Sequence, residues 1–180
     1  YYDRAIVCHP RVLAELAREP FSAGPAQPYL PYAVTDADVS TLGGAPATRV
    51  RVPWKKRGEY AMTYDWDAGQ GVYLRSVPWG PHVLAGGQRV TTDNVLVIKA
   101  GQRVAKLADG AGAPDPMHDI IDASGAFLYA HAGAVVQGTW AKAGVEAPFT
   151  FTLDGGAPLA MAPGRTFVEL PASDADVQVS

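Results

Sequence analysis

The sequence is poor in the features that crosslink a chain, cross a bilayer or bind a polyanion. It has a single cysteine, Cys8, which excludes a disulfide bond within the chain. It has no apolar run of about 18 residues, so we predict no segment that spans a membrane. Charged residues make up only 18% and the net charge is −3. This composition argues against a nucleic-acid partner, because phosphate backbones are bound by clustered basic faces.

The sequence also lacks the spacings that mark catalytic and metal sites. No two of its four histidines stand at a metal-ligand spacing, and no serine lies in a Gly-x-Ser-x-Gly motif. A Gly-x-Gly pattern occurs at Gly110–Gly112 without a helix pattern after it. We therefore expect no metal and no cofactor, and we favour a protein that is not an enzyme. The histidines are His9, His82, His118 and His131.

The first quarter of the chain has a mixed pattern. Tyr2–Val7 is typical of a short strand, and apolar residues at helical spacing predict a helix over Pro10–Arg18. Pro20–Pro31 contains four prolines and predicts an irregular linker. Thr35–Leu42 predicts one short helix with Thr35 as its N-cap. We interpret residues 1–46 as the end of a preceding domain followed by this linker.

Residues 47–180 have the period-two alternation of β-strands and predict one β-rich domain. Gly69 and Gly71, His131–Gly133 and Asp154–Gly156 predict tight turns. We expect Gln102–Leu107 to pair with the apolar run Asn94–Lys99. The predicted fold class is α+β, with β-dominated layered sheets (a ββα-type sandwich) and a few short helices. The predicted strands begin near Val50 and Tyr60 and cover Val72–Ser76, Asn94–Lys99, Gln102–Leu107, Ile120–Asp122, Ala126–His131, Ala134–Trp140, Phe149–Leu153 and Thr166–Leu170.

Short motifs rich in glycine and aromatic residues follow one another from the middle of the chain to its end. They are Trp66-Asp67-Ala68-Gly69-Gln70-Gly71, Gly80-Pro81-His82, Asn94-Val95-Leu96-Val97, Gly138-Thr139-Trp140-Ala141-Lys142 and Pro163-Gly164-Arg165-Thr166-Phe167-Val168. In this order they resemble the C-terminal part of the YerB-like lipoproteins of bacteria, a family of unknown function. The resemblance covers about residues 47–171.

This resemblance implies an extracytoplasmic protein at the surface of the bacterial cell membrane, with an α+β fold of layered sheets. It implies a lipid anchor on an N-terminal segment that is absent from this chain. The chain opens on Tyr1 without a methionine, so we expect a targeting segment to lie outside it. The implied partner is an envelope protein or a cell-wall component. The resemblance implies no reaction, cofactor or catalytic residue.

Four residues are candidates for ligand binding. Trp79 lies between Pro78 and the Gly80-Pro81 pair, where a rigid loop displays it beside His82. Arg75 stands at the base of this loop, and Asp67 in the preceding hairpin turn is a secondary candidate. Asp67 also has two other interpretations: an ion pair with Arg75 across the hairpin, or a carboxylate pair with Asp65 that could bind a cation.

These observations leave three hypotheses. The first is a non-catalytic binding or interaction module of the cell envelope. The second is an envelope hydrolase whose site is assembled from dispersed polar residues such as Asp67, Arg75, His82 and Asn94. A deep pocket that holds these four side chains within hydrogen-bond reach would favour the hydrolase. The third is a structural domain whose partner is another domain of the same lipoprotein.

Overall fold

The computed structural model describes residues 9–18, 28–54, 60–105 and 115–180. Two sequence predictions lie wholly or mostly outside these residues: the strand Tyr2–Val7 and the linker Pro20–Pro31. The helix prediction for Pro10–Arg18 is confirmed, since helix α1 covers Pro10–Ala17 with its proline in the first turn.

The prediction of one helix over Thr35–Leu42 is wrong. The segment forms two 3₁₀ helices, Asp36–Asp38 and Ser40–Gly43. The Thr35 hydroxyl donates to the Asp38 carboxylate at 2.7 Å and caps no backbone N–H. The backbone N–H of Ser40 donates to the carbonyl of Ala160 at 3.0 Å. This tertiary bond outweighs the weak helical preference of so short a segment.

Fourteen strands lie in the described part of the chain, and they confirm the prediction of a β-dominated protein with few short helices. They are β1 (Ala45–Pro46), β2 (Arg49–Pro53), β3 (Ala61–Asp67), β4 (Val72–Val77), β5 (Gly80–Pro81), β6 (Thr91–Thr92), β7 (Asn94–Ile98), β8 (Gly101–Ala105), β9 (Asp115–Asp119), β10 (Ala123–His131), β11 (Ala134–Lys142), β12 (Thr150–Leu153), β13 (Thr166–Glu169) and β14 (Gln178–Val179).

These strands form two six-stranded sheets and one separate hairpin. Sheet one has the order β1-β11-β10-β7-β13, and β12 also pairs with β11. Its strands are antiparallel except for the pair of β13 and β7, which is parallel. Sheet two has the order β14-β2-β3-β4-β5, and β6 also pairs with β4. The third unit is the antiparallel pair of β8 and β9.

Two predicted strands differ from the structure. The segment that begins at Gln102 pairs with β9 and not with β7, because β10 and β13 already occupy both edges of β7. Ile120–Asp122 is a bend between β9 and β10 and not a strand. Asp122 has a φ of 51°, and this left-handed conformation ends the extended backbone.

The hydrophobic residues form two layers, one on each face of sheet one. The layer between the sheets contains Val50, Val52, Tyr64, Tyr73, Val95, Val97 and Ala130. The layer on the other face contains Leu96, Ile98, Ala100, Phe127, Tyr129, Trp140, Phe151, Leu159 and Met161. Strand β7 contributes to both layers and is buried at all five positions, as its continuous apolar run predicts.

The outer layer is covered by loop segments in the described part of the chain. Leu159 and Met161 of one loop segment belong to this layer, and Tyr32 of another forms a parallel bridge with Met161. In the residues that the structure describes, the helical part of the predicted α+β class consists of α1 and the two 3₁₀ helices. The domain boundary near residue 46 stays a prediction.

Candidate functional site

A buried polar cluster joins the two sheets. Arg75 on β4 contacts Glu169 on β13, with Nη2 and Oε1 3.4 Å apart, and its Nε donates to the Tyr64 hydroxyl at 3.0 Å. The Tyr64 hydroxyl in turn donates to Oε1 of Glu169. The indole N–H of Trp54 donates to Oε2 of Glu169 at 2.9 Å. Both oxygens of this buried carboxylate are thus satisfied, as a charge in a protein interior requires.

The charges of this cluster are internally compensated. The Arg75 guanidinium lies over the ring of Phe167, with its central carbon 4.7 Å from the ring centroid. Burial and the neighbouring Glu169 carboxylate raise the pKa of Tyr64 far above its usual range. Tyr64 is therefore a neutral hydrogen-bond donor at physiological pH and not a base or a nucleophile.

His82 is half-buried and forms one end of this cluster. Arg75 Nη1 donates to His82 Nδ1 at 2.8 Å. A guanidinium has no acceptor atom, so His82 Nδ1 is the acceptor of this hydrogen bond. The structure thus brings Arg75 and His82 into contact, and both are candidates from the sequence.

Trp79 lies in the turn between β4 and β5 and is 78% exposed. Asn94 is buried elsewhere, where its Oδ1 accepts a hydrogen bond from Tyr129 and its Nδ2 donates to the carbonyl of Ala162. Asp67 is the last residue of β3, next to the turn that leads to β4. The four residues of the hydrolase hypothesis therefore do not meet in one pocket, since among them only Arg75 and His82 are hydrogen-bonded to each other.

The expected ion pair between Asp67 and Arg75 is not formed. Arg75 faces the core opposite Tyr64, whereas Asp67 pairs in register with Val72. Asp67 accepts hydrogen bonds from the backbone N–H groups of Gly69 and Gln70 and from the Gln70 side chain, which lower the pKa of its carboxyl group.

The two carboxylates that could have bound a cation together, those of Asp65 and Asp67, each contact a different partner. Asp65 forms an ion pair with Arg49 on β2, and Asp67 is engaged by its own turn. Among the described residues, no group of three or more His, Cys, Asp or Glu residues could hold a metal ion.

A hairpin of residues 82–90, which we call the cavity hairpin, packs along β4. The pairing of Val83 with Arg89 and the bond from the Leu84 N–H to the Gln88 carbonyl hold it closed. Gly87 has a φ of 81° at its turn, a conformation that favours glycine. Its two ends bind the backbone of Arg75, since the His82 N–H donates to the Arg75 carbonyl and the Arg75 N–H donates to the Val90 carbonyl.

A cavity of about 560 Å³ opens between this hairpin and the turn from β3 to β4. Its size falls within the range of small-molecule sites. Its lining contains two guanidinium groups, two carboxamides and one hydroxyl, and no carboxylate from the described residues. The lining residues are Gln70, Leu84, Gln88, Arg89, Val90, Thr91 and Arg165.

Arg89 and Arg165 are the basic residues of this cavity. Arg89 Nη2 donates to the Ser76 hydroxyl at 2.9 Å, whereas its Nη1 is buried and meets no acceptor among the described residues. Arg165 contacts Asp93 through Nε at 3.3 Å and through its backbone N–H at 2.8 Å. Burial alone would raise the pKa of the Asp93 carboxyl group. The bonds from Arg165 outweigh this effect, so the pKa is lowered from its usual value.

Sequence reasoning missed every lining residue of the cavity. The available signal was the Gly-Gly turn followed by Gln88 and Arg89, which predicts a hairpin that displays polar side chains. Arg165 lies 76 positions after Arg89, and no local pattern relates the two. Asp67 does not line the cavity, but its carboxylate accepts a 2.6 Å hydrogen bond from the side chain of Gln70, which does.

No helix of the described residues is both long and apolar enough to cross a membrane.

The comparisons with known proteins agree with this fold. No protein of curated function matches the sequence. The chain is similar to the crystal structure of the YerB protein from Bacillus subtilis, with a TM-score of 0.64 and 19% sequence identity. The similarity covers 94% of this chain and 53% of that protein, so this chain spans about half of its length. At this identity the likeness shows the fold alone.

The sequence profile of the protein of unknown function (DUF3048) C-terminal domain matches residues 50–168, which is most of the chain. The match and the likeness to the YerB structure confirm the resemblance to YerB-like proteins. This chain therefore belongs to the DUF3048 family, and its β-rich part is the C-terminal domain of that family.

Proposed function

We propose that this chain is the extracytoplasmic binding domain of a bacterial lipoprotein and that it holds a cell-wall component without catalysing a reaction. The observation that carries this proposal is the lining of the 560 Å³ cavity. Its hydrogen-bond donors can bind the polar groups of a ligand, and its two apolar side chains can contact the ligand's carbon atoms. Among the described residues it offers no carboxylate, histidine or thiol that could act as a base or a nucleophile.

The polar residues outside the cavity support the same conclusion. Arg75, Glu169 and Tyr64 are buried and satisfy one another, so the chemistry of this cluster is structural. His82 has its Nδ1 occupied by Arg75. The hydrolase remains the alternative, and the geometry supports it less because Asp67 and Asn94 bind other partners.

The proposed location follows from the resemblance to YerB-like lipoproteins. The lipid anchor would belong to an N-terminal segment outside this chain, and the domain would face the cell wall from the outer surface of the membrane. Separation of bacterial cells into soluble, membrane and wall fractions tests this location. Recovery of the full-length protein in the soluble cytoplasmic fraction would contradict it.

Trp79 provides a second contact surface for the same partner. It is exposed, as are Val83 and Leu84 on the cavity hairpin, and Leu84 also lines the cavity. An aromatic side chain on a short turn can stack on a sugar ring or on a peptide at small entropic cost. An envelope protein that contacts Trp79 is the second candidate partner.

Co-sedimentation of the chain with purified, protein-free cell walls tests the binding function. We expect the parent protein to sediment with the walls and the Trp79→Ala and His82→Ala variants to sediment less. Leu42→Ala is the matched control, because Leu42 is an exposed apolar residue on the 3₁₀ helix Ser40–Gly43. If the parent protein stays in the supernatant, the proposed wall-binding function is wrong.

A further inference from the structure

We propose that the cavity beside the cavity hairpin is an oxyanion site, which binds a phosphate or carboxylate group on a polyhydroxylated cell-wall ligand. The inference rests on the proposed binding function and names the chemistry of its ligand. Neither the family nor the similar structure assigns a role to this cavity.

The charge of the lining is the first argument. Arg89 and Arg165 contribute two guanidinium groups to one cavity in a chain whose net charge is −3. Planar guanidinium forks match the oxygens of carboxylates and phosphates. Thus a protein that is acidic as a whole presents a local basic surface in a concave site, where an anion is attracted most strongly.

The state of Arg89 is the second argument. No carboxylate of a described residue lies within ion-pair distance of it, and its bond to the Ser76 hydroxyl involves only Nη2. Nη1 is the one buried side-chain nitrogen or oxygen without a partner in the described part of the chain. A buried donor without an acceptor is unfavourable, so the protein leaves part of the hydrogen-bonding capacity of Arg89 unused.

The position of Arg165 is the third argument. Asp93 holds its backbone N–H and its Nε, yet the side chain is 66% exposed. The arginine is thus oriented at the rim of the cavity and remains accessible to a ligand. A guanidinium that is oriented before binding loses little conformational entropy when it contacts an oxyanion.

The remaining lining specifies the body of the ligand. Gln70 and Gln88 provide carboxamides, and Thr91 provides a hydroxyl, all of which can bond to ligand hydroxyl groups. Leu84 and Val90 provide an apolar wall that suits the CH face of a sugar or polyol. An anionic group on a sugar or polyol uses both parts of this lining.

Calorimetric titration of the 180-residue chain tests the proposal with three probes. A glycerol phosphate oligomer carries phosphate, muramyl dipeptide carries carboxylate, and N-acetylglucosamine trisaccharide is neutral. We expect an anionic probe to bind more tightly than the neutral one, and binding to weaken in about 0.5 M salt because the ions screen the attraction. The anionic probe that binds more tightly identifies whether phosphate or carboxylate is the natural group.

The variants Arg89→Gln and Arg165→Gln are each expected to raise the Kd of the better anionic probe at least about tenfold, since each removes a charge-assisted hydrogen bond. Arg103→Gln is the matched control. Arg103 is also an exposed arginine paired with an aspartate, and its side chain is 61% exposed. If Arg89→Gln does not fold, the mostly exposed Arg165 decides the test alone.

The proposal is overturned if no anionic probe binds, if the neutral trisaccharide binds as tightly as the anions, or if Arg165→Gln binds like the parent protein. The wall co-sedimentation assay separates this failure from failure of the binding function. Walls that retain the parent and both arginine variants equally would refute the oxyanion site and leave the binding function standing.

Discussion

The ion pair between Arg75 and Glu169 crosses the interface of the two sheets, and its removal has a predictable energetic signature. The side chains are 10% and 5% exposed. Arg75→Met leaves the Glu169 carboxylate without its counter-charge, and Glu169→Leu does the same to the Arg75 guanidinium. Each single change is expected to lower the free energy of unfolding by about 3–5 kcal/mol, the cost of an uncompensated buried charge.

The double variant should be far less unstable than the two single costs suggest. It removes both charges together, so no uncompensated ion remains in the interior. The Tyr64 hydroxyl loses its partners, which costs about 1–3 kcal/mol. Trp54 is partly exposed, so its indole N–H can donate to water. We therefore expect a coupling free energy of at least about 3 kcal/mol between the two substitutions.

Urea unfolding followed by far-ultraviolet circular dichroism measures all four proteins of this cycle. Stabilities are comparable if the slope of the free energy against urea stays constant. The exposed pair of Arg103 and Asp119, with side chains 61% and 45% exposed, is the control. Its coupling should not exceed about 1 kcal/mol. Additivity within about 0.5 kcal/mol for Arg75 and Glu169 would refute a buried, mutually dependent pair.

Four further outcomes are expected. Trp140→Ala should lower the free energy of unfolding by about 3–5 kcal/mol and the Tm by about 6–20 °C in calorimetry, because the indole is 1% exposed. An unchanged Tm would show that Trp140 is not part of the core. Lys142→Met should lower the free energy of unfolding by about 1–3 kcal/mol in urea, because the ammonium group donates to three backbone carbonyls of residues 144–147. A variant as stable as the parent would show that these hydrogen bonds do not stabilise the loop. Burial raises the pKa values of Tyr64, Tyr73 and Tyr129, that of Tyr73 to about 12, so an absorbance titration should show these phenols ionising after the exposed ones. The stability that these three buried phenols contribute is fully present below about pH 10 and is lost as the pH rises through their pKa values in the folded protein. Simultaneous ionisation of all eight tyrosines near pH 10 would contradict the burial of these three. A chelator should leave the Tm unchanged, whereas a clear decrease would reveal a structural metal.

The expected cost of Trp140→Ala has a structural basis that the sequence partly contained. Gly125 lies directly opposite Trp140 in the pair of β10 and β11. A side chain at Gly125 would come within 2.4 Å of the Lys99 carbonyl and 2.8 Å of the indole nitrogen. The glycine thus leaves room for the indole, whose N–H donates to the Lys99 carbonyl at 2.9 Å. The packing thus shows why Gly125 is required.

The sequence by itself determined the features that depend on neighbouring residues. Period-two alternation predicted most strands of both sheets, and the apolar run at Asn94 predicted the central strand β7. Glycine-containing segments predicted the tight turns at His131–Gly133 and Asp154–Gly156, where Gly133 and Gly156 have positive φ values. These features are local, because side-chain direction and turn conformation follow from a few consecutive residues.

Only the tertiary structure decided which distant residues meet. Arg75 and Glu169 are 94 positions apart, and their contact requires β13 to lie beside β7. The same placement brings Arg165 to the cavity beside the cavity hairpin, which carries Arg89. The pairing of β8 with β9 likewise depended on the occupied edges of β7. Such contacts depend on which strand edges remain free and on chain closure over long separations, and no periodicity in a single sequence records either.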